Sequence, residues 1–430
     1  MIEGSPKEAL RDGVIPTMGS RLSKLLVPGA VLGLLVVLMA APSSREPRSH
    51  PGVRAEAVPS GRRARSPAEV IADLRASTEV WCSDARRARA LAYGETCVPW
   101  DSIPSIDRPR FIDAAEAASL TPADPVVVLD LEGEHRAYPV AILSYHEIVN
   151  DVVAGRPVVV TFCPLCNSAV AFSREVAGRT LTFGVSGQLA GANLVMFDRE
   201  TVSRWQQLTG RATSGPFEGA ELELVPVRMV SFGSWLAAHP GGMILAEPDG
   251  SRFNYGIDPY VGYDVDPNQP SFVYDPPGVV GPAEPTDPRL PPKWRVVGVV
   301  TDDGALAFPV PSGKGRMAVV TGRLGKIPLV AFFQFGLAQP EKAYEFSAAP
   351  RGWAGTVFVA RLGGRDLSFS TNGAGTFIER VTGSRFDAFG RGISGPLAGR
   401  TLPTVPHATA FWFAWSHFYP DTEVATALRS

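Results

Sequence analysis

The sequence predicts a mainly β protein of the α+β kind: two tandem duplicated β-rich repeats with few short helices. Three observations lead there. Glycine and proline number 43 and 39 in 430 residues, which favours turns and short strands over long helices. Short β-branched or aromatic runs recur between turn residues. The second half of the chain also repeats, in order, the motifs of the first.

The duplication is read from matched segments. Gly133-Glu-His-Arg-Ala-Tyr-Pro-Val140 is answered by Gly304-Ala-Leu-Ala-Phe-Pro-Val310. Gly187 and then Met196-Phe-Asp-Arg-Glu-Thr-Val-Ser-Arg-Trp205 are answered by Gly373 and then Phe377-Ile-Glu-Arg-Val-Thr-Gly-Ser-Arg-Phe386. Ser214-Gly-Pro-Phe-Glu-Gly219 matches Ser394-Gly-Pro-Leu-Ala-Gly399, and Phe232-Gly-Ser-Trp235 with His239 matches Phe411-Trp-Phe-Ala-Trp415 with Tyr419. The first repeat is placed at 122–253 and a degenerate second repeat at 294–430, joined by a Pro-, Tyr- and Asp-rich connection at 254–293. A chain of this length suggests two domains.

Within the first repeat, strands are expected at Val126–Leu129, Pro157–Phe162, Ala169–Phe172 and Leu181–Phe183, with a turn at Ala177-Gly-Arg179. The spacing from Val140 to Val149 predicts a short helix. Ahead of the repeat, 67–121 is a lead-in with helical character around Val70, Ile71 and Leu74.

The N-terminus carries the localisation signal. Arg21 and Lys24 precede an apolar run from Leu25 to Ala41, the layout of a secretory leader. Residues 1–41 are therefore read as a signal peptide or an N-terminal anchor, and 42–66 as a flexible Pro/Arg/Ser linker. The rest of the chain is expected outside the cytoplasm, periplasmic or extracellular, meeting membrane only through this segment. A net charge of −2 gives no basic surface for nucleic acid. Of four cysteines, Cys82 and Cys97 are expected to form a structural disulfide in an oxidising compartment.

The chemistry concentrates at Cys163-Pro-Leu-Cys166, directly after an apolar strand. Two thiols at this spacing chelate one soft metal ion or close into a reversible disulfide. The chain returns at once to the strand-like Ala169-Val-Ala-Phe172, which argues against a thioredoxin fold. His146, in Tyr145-His-Glu-Ile-Val-Asn-Asp151, is the nearest candidate third group. With both cysteines it gives a set suited to zinc or copper, or a Cys nucleophile activated by His with Asn150 or Asp151 orienting the ring. The second repeat has no Cys in the aligned stretch, the pattern of one working copy and one scaffold copy. Asn150, Asn193, Asp198 and Tyr260 are candidate ligand contacts. Gly184 and Gly187 are candidates for close backbone approach to a ligand. Asp198 with Arg199, echoed by Glu379 with Arg380, is read as an ion pair of the scaffold. Aromatic and acidic groups from Asn254 to Asp264 are read as a rim around a pocket.

These motifs resemble a family of uncharacterised bacterial and archaeal exported proteins, a domain of unknown function. The resemblance rests on Ala137-Tyr-Pro139, His146-Glu-Ile-Val-Asn-Asp151, Thr161-Phe-Cys-Pro-Leu-Cys166, Phe183-Gly-Val-Ser-Gly187, Asn193-Leu-Val-Met-Phe-Asp-Arg199 and Asp258-Pro-Tyr-Val-Gly-Tyr263. It spans most of the chain from Asp130 and implies no settled activity. The family pattern usually has an extra Asn in a longer polar stretch, where this chain reads Gln188-Leu-Ala-Gly-Ala192.

Three functions follow as expectations. The first is a metal-binding or thiol-redox protein working through Cys163, Cys166 and His146. The second is a cysteine-nucleophile enzyme acting on a small acyl-type substrate. The third is a non-catalytic binding module with a structural Cys163–Cys166 disulfide, its apolar contacts supplied by Trp235, Tyr255, Tyr260 and Trp412. In each the expected partner is a small molecule or a metal ion.

Overall fold

The run Val126-Val-Val-Leu129 has no polar alternation, so its strand must be covered on both faces. In the computed structural model it forms β2 (Pro125–Leu131), buried from Pro125 to Leu129. The structure describes residues 66, 68–73, 98–264, 287–313, 315–371 and 375–426. Glu132 and Gly133, both at positive φ, turn β2 back into β3 (Glu134–Pro139), as a two-residue hairpin of this twist requires. Pro139 then leads into α1 (Val140–His146). An antiparallel meander follows: β4 (Ile148–Val153), β5 (Arg156–Cys163) and β6 (Ser168–Ser173). Next comes a four-stranded sheet of β7 (Phe183–Ala190), β8 (Asn193–Asp198), β9 (Arg204–Gln206) and β10 (Ala212–Ser214). The copy ends with β11 (Val227–Ser231), α2 (Phe232–Ala238) and β12 (Met243–Leu245).

The second copy repeats this plan, with no counterpart of α1 among the described residues. Its hairpin is β13 (Arg295–Thr301) and β14 (Gly304–Pro309), and its meander β15 (Met317–Leu324), β16 (Ile327–Ala338) and β17 (Arg351–Val359). Its small sheet is β18 (Phe369–Thr371), β19 (Phe377–Glu379), β20 (Arg385–Phe386) and β21 (Gly392–Ser394). It closes with β22 (His407–Phe411), α3 (Trp412–Phe418) and β23 (Glu423–Val424). In both copies the strand before the late helix runs antiparallel to the first hairpin strand. In both, the strand after that helix runs parallel to the second hairpin strand. Gly210 packs on Phe172 and Gly390 on Phe358. A Cβ at either glycine would stand 2.5 or 2.7 Å from the ring, so both positions need glycine.

The copies interlock. Strand β22 pairs with β6 through Thr409 and Ala169, so one sheet runs through strands of both copies. Strand β11 of the first copy lies beside β17 of the second. The described residues from 66 to 426 accordingly fall in one compact unit, not the two domains that length suggested.

Local expectations are adjusted in three places. The strand expected at Leu181 begins at Phe183 and runs to Ala190, so Gly184 and Gly187 lie within a strand. The helix expected to reach Val149 stops at His146, because Glu147 takes a left-handed conformation (φ 58°) and Ile148 starts β4. Asp198 and Arg199 form no ion pair, as described below. The leader or anchor at 1–41, residues 42–65 of the linker, Cys82 with Cys97, and 265–286 of the connection lie outside the described residues. Among the described residues no helix is long and apolar enough to cross a membrane. Those of the lead-in dock on the first copy: Ile71 and Trp100 pack against Phe197, and β1 (Phe111–Asp113) pairs with β12.

Candidate functional site

Cys163 ends β5, and Pro164–Cys166 makes one tight 3-10 turn before β6. Proline suits the first position of such a turn, where its missing N–H is not needed. Asn167 closes the turn at φ 49°, a left-handed conformation that asparagine tolerates. The turn aims both sulfurs inward, leaving Cys163 2% and Cys166 0% exposed. They are free thiols, not a disulfide. The thiol of Cys166 donates to the Ala192 carbonyl at 3.0 Å. Burial first, then the adjacent Cys163, push the Cys166 thiol well above the ordinary range, while Asn193 opposes the shift.

The acid beside this pair is Glu147. It caps α1 in a left-handed conformation and is buried. Burial lifts its carboxyl to about 7, against a hydrogen bond from Tyr260 that lowers it. Tyr260 donates to Oε1 of Glu147 at 3.4 Å. Its phenol is pushed well up by burial and by the charges of Glu147 and Cys163. Tyr263 packs in the same core cluster as both cysteines. The segment from Asp258 to Asp264 thus covers the thiols with two tyrosines. Two buried polar residues in left-handed backbone, Glu147 and Asn167, flank the pair, the kind of local strain that gathers at functional sites.

The second copy contributes directly. Where the first copy has its Cys-Pro-Leu-Cys turn, the second has a longer loop between β16 and β17. That loop carries Glu341, which accepts from the side-chain amide of Asn167. Arg295 bridges Glu341 and Asp264 at 2.9 and 3.1 Å. The second copy therefore props the Cys-Pro-Leu-Cys turn of the first.

His146 does not join the thiols. Its Nδ1 lies 2.6 Å from the Pro104 carbonyl, which can only accept, so Nδ1 carries the proton. Its Nε2 then accepts from the Tyr255 hydroxyl at 2.7 Å. Both nitrogens are spent on holding the lead-in and the connection. Among the described residues, Cys163, Cys166 and His146 do not form a metal-ligand cluster, since the one such group consists of other residues.

The other candidates sort by partner. Asn193 is fully buried and reaches Cys166, while its amide donates to Gln207 at 2.8 Å. Tyr260 is at the site. Asn150 is not: it exchanges hydrogen bonds with the Phe183 backbone at 2.8 and 2.9 Å, pinning β4 to β7. Asp198 accepts from Trp205 Nε1 at 2.9 Å and from Thr201 N at 2.6 Å, and Glu379 caps the matching Thr382 at 2.8 Å. Asp198 is spent on its own turn and Trp205, and Glu379 on its own turn and Arg365 at 3.3 Å. Arg199 instead pairs with Asp101 at 2.5 Å and Asp107 at 3.6 Å. Gly187 does admit a close backbone, but that of Val98 in the lead-in. Trp235 and Trp412 are fully buried and offer no surface contact. Glu147, Asn167 and Glu341 lie beside the thiol pair and are not singled out from sequence, whereas Tyr263 falls in the aromatic and acidic segment read there as a rim. The one usable signal was the position of Glu147, inside a motif and beside the candidate histidine.

A cavity of about 700 Å³ lies along α1, lined by Ala141, Ile142, Asn254, Tyr255, Ile257 and Phe346. A second, of about 30 Å³, is lined by Phe162, Asn167, Arg295 and Glu341. It has room for about one water. The cysteines line neither.

Fold and site together define a class: an interlocked two-copy β protein with a buried dithiol beside a buried carboxyl in one copy only. The chain belongs to the family described as "Protein of unknown function (DUF3179)", whose model matches residues 100–422 and so spans both copies. No curated protein and no solved structure matches the chain.

Proposed function

We propose that this is an exported thiol-redox protein in which Cys163 and Cys166 cycle between dithiol and disulfide, with Glu147 as the buried proton acceptor. One observation carries the reading: the carboxyl of Glu147, buried beside the thiol pair and raised to about 7. Joining two thiols releases two protons and two electrons. Protons leaving a buried site need an acceptor that exists in both forms near neutral pH. Tyr260, hydrogen-bonded to Glu147 and close to Cys163, links the acid to the sulfurs.

The electron acceptor is a small disulfide. One cysteine sulfur attacks it, forming a mixed disulfide and expelling one thiol. The second cysteine sulfur attacks that mixed disulfide, closing the Cys163–Cys166 bond and expelling the other thiol. One dithiol and one small disulfide thus become one protein disulfide and two small thiols. Burial of both sulfurs favours a small co-reactant over a folded protein.

The test is equilibration of the full chain in thiol–disulfide buffers, with mass-spectrometric mapping so that Cys82 and Cys97 are scored separately. The expected result is reversible loss of both thiols at Cys163 and Cys166. Glu147→Gln is expected to slow closure at neutral pH by roughly a hundredfold or more. A pair that stays reduced in oxidising buffer removes the reading.

A second reading has its own support. Cys163 lies within hydrogen-bond reach of Cys166, a spacing that also suits two thiolates on one copper(I) ion, the soft metal such ligands select. Stoichiometric copper retained through purification and lost in Cys163→Ser would favour it. The acyl-transfer reading has less support, because His146 is bonded elsewhere and burial keeps the Cys166 thiol protonated.

A further inference from the structure

Asp130, His135 and His239 converge at the hairpin of the first copy, in a group distinct from the thiol pair. Asp130 on β2 stands opposite His135 on β3, and His239 follows directly after α2. Nδ1 of His135 lies 2.8 Å, and Nε2 of His239 3.9 Å, from Oδ1 of Asp130. All three donor atoms lie within 4.8 Å of one another, the one such cluster among the described residues. The other carboxylate oxygen of Asp130 is held by Arg228, which turns Oδ1 toward the imidazoles.

Two further observations point to a ligand. The His239 side chain is 9% exposed, and its buried Nε2 has no hydrogen-bond partner while aimed at Oδ1. A buried ring nitrogen is rarely left unpaired. The second copy then supplies an internal control. The matched hairpins put Val300 at the place of Asp130 and Ala305 at that of His135, while Ala408 replaces Arg228 and Tyr419 replaces His239. Val300, Ala305 and Tyr419 pack against an apolar core there. The same backbone folds without any of these polar groups, so the scaffold does not require them.

We propose that Asp130, His135 and His239 bind one divalent first-row transition ion, zinc being the ion this donor set fits. Two imidazoles and one carboxylate suit it and leave a fourth position for water or a small ligand. Bonds of about 2.0–2.2 Å put tetrahedral donors about 3.4 Å apart, between the 2.8 and 3.9 Å found here. The ion would replace the proton that His135 and Asp130 now share. Charge permits this: Arg228 is paired with Asp130, and the neighbouring Arg391 with Asp387 at 2.7 Å.

The test is titration of the full chain with cobalt(II) and zinc(II), reading the visible cobalt spectrum and the zinc affinity. The expected cobalt spectrum has ligand-field bands of a nitrogen and oxygen site, without the near-ultraviolet thiolate band. It persists in the Cys163→Ser, Cys166→Ser double variant. It is lost in His135→Ala and in His239→Tyr, each of which installs the residue of the second copy and is checked for native circular dichroism. Zinc binding in either is expected to weaken by more than the roughly 10–100-fold that loss of an outer partner costs. No binding, a thiolate spectrum, or affinity unchanged by both substitutions overturns the proposal. None of these outcomes bears on thiol cycling, which is measured separately.

Discussion

The phenol of Tyr260 donates to Oε1 of Glu147 across 3.4 Å, fastening the connection between the copies to the turn that ends α1. That bond favours the ionised acid and works against burial. Tyr260→Phe removes the donor and keeps the ring. The carboxyl of Glu147 is then expected to titrate above its present value of about 7. The protonated-carboxyl infrared band, followed against pH and assigned with Glu147→Gln, checks this. A titration unmoved or shifted down would show that the bond does not reach the carboxyl in solution.

Glu147 also makes stability depend on pH in a defined direction. Its ordinary value is 4.5 and its native value about 7, so across that window the native state keeps a proton the unfolded chain has lost. The native state binds more protons, so stability falls as pH rises from 4.5 to 7. Above 7 the loss is complete, about 3 kcal/mol at 1.36 kcal/mol per unit. Glu147→Gln cannot ionise. It is expected to match the wild type near pH 4 and to exceed it by about that amount near pH 8. Denaturant midpoints at the two pH values decide, and an equal difference at both would refute the assignment. Asp258, also raised to about 7 by burial, adds a slope of the same sign that the variant retains.

His146→Ala separates the structural histidine from the thiol chemistry. It removes the bonds to Pro104 and Tyr255. The cost is expected to be about 2–3 kcal/mol of stability. The midpoint of the Cys163–Cys166 couple in thiol buffers is expected to stay where it is. A shifted midpoint would restore His146 to the site.

Asp198→Ala and Glu379→Ala test the duplicated turn. Each carboxylate holds the backbone and hydroxyl of a threonine three residues on, and Asp198 also holds Trp205. Both variants are expected to lose about 2–4 kcal/mol, with thiol reactivity unchanged. Asp198→Ala is expected to lose more, since it leaves the buried indole N–H unpaired. Equal thermal midpoints for the two variants would contradict that order.

Much of the architecture was readable in the chain. Segments repeated in order meant a duplication, and the structure carries it down to paired glycines such as Gly210 and Gly390 against matching phenylalanines. Unbroken runs such as Val126–Leu129 meant buried strands. The interlocking was not readable. One strand pairing, Thr409 with Ala169, carries a sheet from one copy into the other, and residues so distant in sequence leave no local pattern.

At the site, the sequence by itself determined that one copy holds a thiol pair and the other does not, because residue identity and spacing survive any folding. It also brought the motif Tyr145–Asp151 to attention. Tertiary structure alone decided which acid or base of that motif meets the sulfurs. His146 and Glu147 are neighbours in the chain, but α1 ends between them in the left-handed backbone at Glu147, and their side chains meet different partners. His146 goes to Pro104 and Tyr255, and Glu147 to Tyr260 and the thiols. Glu147 sits at positive φ without being a glycine. Such a conformation is held by the packing around it and not by the residue type, so no reading of the sequence alone would have found it.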